Sequence, residues 1–195
     1  MKRFIDIISS LIALILLLPL FTIISTCIKL ESKGPIFFSQ RRVGINDREF
    51  TMYKFRSMLV GTPEVATDKL TNSQMYITRI GHVLRKYSLD ELPQLINIIN
   101  GDMSIIGPRP ALFNQYDLRE LRNKHRISRV RPGLSGWAQV NGRDEISLEE
   151  KVKLDLYYVE HQSTLLDLRI IILTLLSIIS GDGNKVRNAG KSVSL

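Results

Sequence analysis

The sequence predicts an α+β protein in two parts. The first is an amino-terminal membrane re-entrant helix hairpin. The second is a small, mainly helical cytoplasmic domain with a β-hairpin and interfacial amphipathic helices. Three observations carry this. Ile7 to Ile28 holds no charged side chain, and Pro19 interrupts it near the middle. Two β-patterned runs, Pro35–Gly44 (PIFFSQRRVG) and Glu49–Met58 (EFTMYKFRSM), flank the turn residues Asn46-Asp47. Beyond them, apolar residues recur at helical spacing, punctuated by Gly and Pro. The expected boundaries are 1–33 for the membrane element, 34–181 for the domain and 182–195 for a polar tail.

A helix needs roughly 20 apolar residues to cross a bilayer, and Ile7–Ile28 is long enough. The run is too long for a signal peptide, and no small-residue cleavage site follows before Lys29 and Lys33. Pro19 removes a backbone donor and clashes with the preceding turn, so it kinks or breaks the helix. Lys2 and Arg3 precede the segment; Lys29 and Lys33 follow it. Basic flanks favour the cytoplasmic side. A hairpin satisfies that preference at both ends, a kinked single span at one, and the residues alone leave both readings open.

Val60–Ser73 is polar, with Gly61, Pro63 and Asn72 as breakers, and reads as a loop. Met75–Arg85 reads as a short helix or turn. Leu89–Asn100 reads as a helix, because Leu92, Leu95, Ile96 and Ile99 share one face. Ser88 with Glu91 matches a capping box, and Gly101 is a stop signal. Pro93 also admits Asp90 itself as the cap. Either way, Asp90 and Glu91 fall in the first turn. Asp102–Pro110 reads as a rigid loop. Ala111–Ile127 and Leu148–Gln162 read as helices, with a turn-rich stretch, Arg131–Arg143, between them. Leu165–Ile179 is apolar, but Asp167 and Arg169 leave too short a run to span, so it is expected at the interface or beneath the anchor.

The formal net charge of +8 favours nucleic acid, anionic lipid or phosphorylated substrates, and the membrane segment favours the latter two. With 44% apolar and 24% charged residues, wholesale disorder is excluded. Cys27 is the one cysteine, which excludes an intrachain disulfide and fits a reducing compartment.

The carboxylate pair Asp90-Glu91 is the strongest chemical candidate. Acidic residues in a first helical turn also simply complement the helix dipole, so its company matters. Arg85 lies five residues upstream, and Arg109 sits between two prolines that restrict its backbone. Lys54 and Arg56 alternate with Tyr53 and Phe55 on a predicted strand, which gives them one face. Such cations offset charge on phosphate oxygens during phosphoryl transfer. Each also has the ordinary reading of a solvated surface residue. The run Arg119, Arg122, Lys124, Arg126, Arg129 and Arg131 reads as a lipid-facing electrostatic patch. No nucleic-acid motif accompanies it, so nucleic acid is not expected as a partner. Trp137 reads as a core or interfacial aromatic. His82, His125 and His161 lack metal-ligand spacing. Gly-x-Gly-x-x-Gly, Gly-x-x-x-x-Gly-Lys and Asp-x-Asp are all absent.

Taken with these residues, the chain resembles the bacterial sugar transferase family, monotopic phosphoglycosyl transferases that start glycan assembly on a polyprenyl phosphate. The matching stretches are KRFIDIISS, GPIFFSQRRVG, YKFRSM, SLDELPQLINIINGDMSIIGPRP, RPGLSGWAQVNGR and DLYYVEHQSTLLDLRIIILT, from about Lys2 to Gly181. The length is similar to the minimal catalytic form. The resemblance implies a UDP-sugar donor and an undecaprenyl phosphate acceptor. The first dyad carboxylate, Asp90, would attack the sugar-bearing phosphate, expel UMP and pass the phosphosugar to the lipid. It implies magnesium, held with help from Asp90 and Glu91. It places Lys54, Arg85 and Arg109 among the family's active-site basic residues, with Arg131 and Arg143 holding the nucleotide. Arg56 joins the substrate-binding set through its predicted face.

The family's membrane helix breaks at a Ser-Pro pair. Here the pair is Leu18-Pro19: the proline is kept and the serine is missing. The resemblance therefore favours the hairpin, seated among lipids at the cytoplasmic face of a bacterial inner membrane, and related proteins make a homodimer an option. The stretch Gly61–Thr67 resembles members acting on N-acetylated deoxyhexosamines. An N-acetylfucosamine-type donor is expected, with diacetamidobacillosamine, GalNAc and GlcNAc donors as alternatives, feeding capsule, O-antigen, exopolysaccharide or glycoprotein assembly. Two other readings compete: a non-catalytic membrane adaptor with a basic binding face, and a membrane-associated metal-dependent phosphatase.

Overall fold

The computed structural model describes residues 1–62, 73–142 and 146–180. Its elements are α1 (Lys2–Glu31), β1 (Phe37–Val43), β2 (Glu49–Phe55), α2 (Arg79–Lys86), α3 (Gln94–Asn100), β3 (Ser104–Ile106), β4 (Ala111–Leu112), α4 (Tyr116–Lys124), β5 (Gly133–Ser135), α5 (Trp137–Val140), α6 (Leu148–Glu160) and α7 (Thr164–Ile179). This is the mixed helix and sheet architecture expected.

β1 and β2 form the predicted hairpin, in register from Phe37↔Phe55 to Val43↔Glu49. At its tip Asn46 and Asp47 take positive φ, 53° and 60°, which their short polar side chains tolerate better than most. β4 joins the free edge of β1, giving the order β2-β1-β4. The outer edge of β2 is covered by α3. Buried Asn97 accepts from the Tyr53 N–H (3.1 Å) and donates to the Thr51 carbonyl (2.7 Å). A side chain thus satisfies an edge that would otherwise invite another strand.

α1 is one helix, with Pro19 inside it, where the sequence predicted two limbs. Thirty residues at 1.5 Å each make it about 45 Å long. By length and composition it suffices to cross a membrane. Asp6, Ser10, Ala13, Leu17, Phe21, Ile24 and Ile28 step by three or four along one face, and that face packs on the domain. The other side is also apolar but exposed, including Ile5, Ile8, Ile12, Ile15 and Ile23. Beyond the proline, Thr22 Oγ1 donates to the Leu18 carbonyl (3.0 Å) and Thr26 Oγ1 to the Thr22 carbonyl (2.9 Å), a back-bonding that bends helices.

Several segments differ from expectation. Leu89–Asn100 is not one capped helix. Ser88 is left-handed (φ 53°) and its side chain caps nothing; a 3-10 turn, Leu89–Glu91, precedes α3. Gly101 does stop α3, at φ 100°. Ala111–Ile127 loses both ends. Ala111 and Leu112 are captured by β1, and α4 ends before left-handed Arg126. The loop Asp102–Pro110 and the turn-rich stretch from Arg131 each contribute a short strand, β3 and β5, which pair in parallel.

The basic run is not a uniform lipid-facing patch. Arg119 grips Asp47 through two bonds (3.1 and 2.8 Å). Arg122 is buried against Asp155 (2.5 and 3.1 Å). Arg131 donates to the Gly101 carbonyl at 2.9 Å. Half of the run therefore folds the domain. The predicted polar tail lies outside the described residues, as do Pro63–Thr67 of the sugar-associated stretch.

Candidate active site

The dyad is built on a turn whose apolar residues fix its direction. Left-handed Ser88 swings the chain sharply into Leu89–Glu91. Leu89 and Leu92 then pack into the cluster of Phe55, Leu84, Ile24 and Ile28. The two carboxylates between those leucines end at 7% exposure each. Burying charge at that depth requires partners.

Glu91 has them. Its Oε1 accepts from Lys54 Nζ at 2.7 Å and from Arg109 Nη2 at 2.8 Å. Asp90, by contrast, makes no side-chain hydrogen bond or ion pair among the described residues. It lies in the field of Lys54, Arg85 and Arg109, yet burial dominates and raises its carboxyl above the usual range, with Glu91's charge adding to the rise. Burial likewise pushes Lys54 below the ordinary lysine value, against the pull of Glu91. Burial thus favours the protonated form of the Asp90 carboxyl.

Arg109 is held by clamping its loop one residue at a time. The Pro108 carbonyl accepts from Gly133 N–H (2.9 Å), the Arg109 carbonyl from Arg122 Nη1 (2.8 Å), and the Pro110 carbonyl from Arg42 Nη1 (3.0 Å). The first clamp needs glycine. A Cβ on Gly133 would stand 2.1 Å from Gly107 N, and one on Gly136 2.1 Å from the Gly107 carbonyl oxygen. The two motifs GPRP and RPGLSG are thus one backbone-to-backbone joint.

Arg85 leaves α2 and donates to Ser57 Oγ (3.1 Å), with both dyad carboxylates drawing on its charge. α2 itself is set by Thr78, whose Oγ1 accepts from Gly81 N–H (2.9 Å). Lys54, Arg85, Asp90, Glu91 and Arg109 therefore converge as the sequence suggested. Arg56 does not join them. It is 5% exposed and donates to the Lys33 carbonyl (2.9 Å) and to the carbonyl and Oγ of Ser32 (2.8 and 2.9 Å). It ties the end of α1 instead of a substrate. Arg131 holds the α3 terminus, as described, and Arg143 lies outside the described residues.

The sequence reading missed how α1 enters this arrangement. Arg3 donates to the carbonyls of Ile98 (2.5 Å) and Ile99 (2.9 Å) at the end of α3. Asp6 accepts from Ser104 Oγ (2.7 Å) and Ile105 N–H (3.3 Å) on β3. Glu31 accepts the leading N–H groups of α2, from Arg79 (2.6 Å) and Ile80 (3.1 Å). Each element that carries a site residue is therefore tied to α1, or follows directly on one that is. An acid at position 6 with a small serine one turn later, entering an apolar segment, was the available signal.

The sequence pattern that defines the bacterial sugar transferase family matches residues 1–181. The chain belongs to that family. It is 40% identical over 169 residues to the sugar transferase EpsL of Bacillus subtilis (strain 168), described as uncharacterized, covering 87% of this chain and 81% of that one. It is 42% identical over 188 residues to an Aeromonas hydrophila UDP-N-acetylgalactosamine-undecaprenyl-phosphate N-acetylgalactosaminephosphotransferase. It is 43% identical over 182 residues to a Xanthomonas campestris pv. campestris UDP-glucose:undecaprenyl-phosphate glucose-1-phosphate transferase. These matches cover 93% and 89% of this chain but 44% and 38% of the two enzymes, so it spans about two fifths of their length.

Within this sugar transferase framework, the dyad's donor chemistry can be weighed against a metal ion. Among the described residues no group of three or more His, Cys, Asp or Glu side chains gathers. Magnesium commonly takes one or two carboxylates and completes its octahedron with substrate phosphates and water. Asp90 and Glu91, side by side and ringed by phosphate-compatible cations, fit that mode.

Proposed function

We propose that this chain transfers a phosphosugar from a UDP-sugar to undecaprenyl phosphate, releasing UMP, with Asp90 as the nucleophile. The observation that carries the assignment is the asymmetry of the dyad. Glu91 is bound by two cations, whereas Asp90 is buried and, among the described residues, makes no side-chain hydrogen bond or ion pair, and burial raises its carboxyl above the usual range. A group committed to two ion pairs orients its neighbours; the one beside it is available to attack.

In the first step an Asp90 Oδ forms a bond to the sugar-bearing phosphorus, and the bond from that phosphorus to the UMP oxygen breaks. In the second, an oxygen of the lipid phosphate bonds to the same phosphorus and the Asp90 oxygen leaves with its electron pair. Lys54, Arg85 and Arg109 offset charge on the phosphoryl oxygens as it shifts. Bound magnesium would be held by Asp90 and Glu91 and would neutralise the diphosphate.

α1 supports a monotopic setting. Its first and last turns both touch the same domain, which favours a path that enters and leaves on one side, with the basic flanks Lys2, Arg3, Lys29 and Lys33 towards the cytoplasm. The exposed apolar residues of α1 and of α7, among them Leu168, Ile172 and Leu175, would rest in the cytoplasmic leaflet of the inner membrane. Pro19 lies inside the continuous α1, and a re-entrant path in lipid would place its bend there. The acceptor's head would then meet Asp90 without its tail entering water.

UMP release from a panel of UDP-sugars, with magnesium and undecaprenyl phosphate, tests the reading. The panel spans glucose, GalNAc, GlcNAc and N-acetylated deoxyhexosamine donors. Lipid-dependent UMP from the wild type, and none from Asp90→Asn, is expected. UMP with free sugar phosphate in the absence of lipid would instead indicate a phosphatase. No UMP from any donor, with the fold intact, would favour the adaptor.

A further inference from the structure

Gln94 follows Glu91 by three residues and Asp90 by four on one right-handed path, continuous from the 3-10 turn into α3. Residues so spaced share a face. Its neighbours on that stripe show which face it is. Glu91, one turn earlier, meets Lys54 of β2 at 2.7 Å, and Asn97, one turn later, bonds the β2 backbone at Thr51 and Tyr53. The same spacing puts Gln94 between them on the stripe that faces β2, one turn after the dyad. It is 2% exposed, and among the described residues its amide Nε2 has no hydrogen-bond partner. A buried donor without an acceptor destabilises a fold, and an apolar side chain of the same shape would not. On a stripe where Glu91 and Asn97 are both bonded, this calls for a ligand that supplies the acceptor.

We propose that Gln94 is a phosphoryl-binding residue. Its amide N–H donates to a non-bridging oxygen of the phosphoryl group as that group moves onto and off Asp90. This rests on the phosphotransfer reading above. A neutral donor suits the position. Lys54, Arg85 and Arg109 already supply positive charge, and a fourth cation would lower the basicity that Asp90 needs to attack. An amide orients the phosphoryl oxygens without that cost.

The test compares wild type, Asp90→Asn, Gln94→Met and Gln94→Leu in single-turnover UMP release, with thermal unfolding of each protein in the same lipid or detergent. Methionine keeps the length of glutamine and removes the donor. The expected result is UMP release slowed about 100-fold in Gln94→Met. KM for the UDP-sugar should stay nearly unchanged, since the bond forms on the way to the transition state. The unfolding midpoints of both Gln94 variants should equal or exceed that of wild type. Undiminished release in Gln94→Met would overturn the proposal. So would a lowered midpoint, or misfolding of both variants, since the amide would then be structural. Wild type that releases UMP, with Asp90→Asn inactive, keeps the parent reading whatever Gln94 does. Wild type that releases none overturns the parent reading and leaves Gln94 no phosphate to bind, overturning both.

Discussion

Lys54 Nζ sits 2.7 Å from Glu91 Oε1, the oxygen that also receives Arg109 at 2.8 Å. One carboxylate oxygen therefore bridges two cations that arrive from β2 and from the 108–110 loop, segments more than fifty residues apart in the chain. Glu91→Gln keeps the shape and removes the charge. Turnover is expected to fall by about 10²–10³-fold. Stability should fall by roughly 3 kcal/mol, because two part-buried cations lose their counter-ion. Denaturant unfolding beside steady-state UMP release checks both. A variant that lost activity at full stability would show that the pair acts only on substrate.

Asp90 gives a prediction in pH. Burial raises its carboxyl, so the folded protein holds that proton more tightly than the unfolded chain does. Stability from this group is present at low pH and is lost as pH rises through the raised value. Asp90→Asn should therefore unfold at a higher temperature than wild type near pH 8. The gap should close as pH approaches the ordinary carboxylate range, about 4. Melting curves from pH 4 to 8 measure it; a gap independent of pH would contradict the assignment.

The Arg122–Asp155 pair is buried, and burial pushes the Asp155 carboxyl up despite the guanidinium at 2.5 Å. Arg122→Met should cost about 3–5 kcal/mol, since it strands a charge and also frees the Arg109 carbonyl. Asp155→Leu added to it should recover much of the stability but not the activity, because the Arg109 loop stays unclamped. Recovery of both would mean that the clamp is dispensable.

Arg56→Met should lower the unfolding midpoint, by loosening α1 from the domain, while the protein that remains folded keeps its KM for UDP-sugar. Lys54→Met should do the reverse, losing turnover more than stability. Parallel melting and kinetics of the two variants decide between strand neighbours that the sequence could not tell apart.

That confusion has a physical cause. Alternation assigns faces only while the strand lasts, and β2 ends at Phe55, so Arg56 already follows another path. The hairpin itself was legible because its register is local, set by Asn46-Asp47 and a two-residue period. The dyad and its cations were singled out by their place in the motifs that resemble the family, and the structure brings Lys54, Arg85 and Arg109 to Asp90 and Glu91. β3, β4 and β5 were not, because strands of two or three residues exist only through distant partners. Nor were the ion pairs of Arg119 and Arg122, whose acids lie 72 and 33 residues away. Charge alone gives no sign of such partners. The continuity of α1 through Pro19 shows the same limit, since packing along the domain can override a local helix breaker.

Because α1 is stitched to α2, α3, β3 and Arg56, the helix long and apolar enough to cross a membrane is also the keystone on which the domain is assembled. Trimming it away to gain a water-soluble protein would remove the acid and arginine that brace the dyad's own scaffold. Grafting an unrelated hydrophobic anchor in its place would restore location without restoring shape. With α1 seated in lipid as proposed, whatever thickens, thins or strips that lipid would be felt through these ties at Asp90.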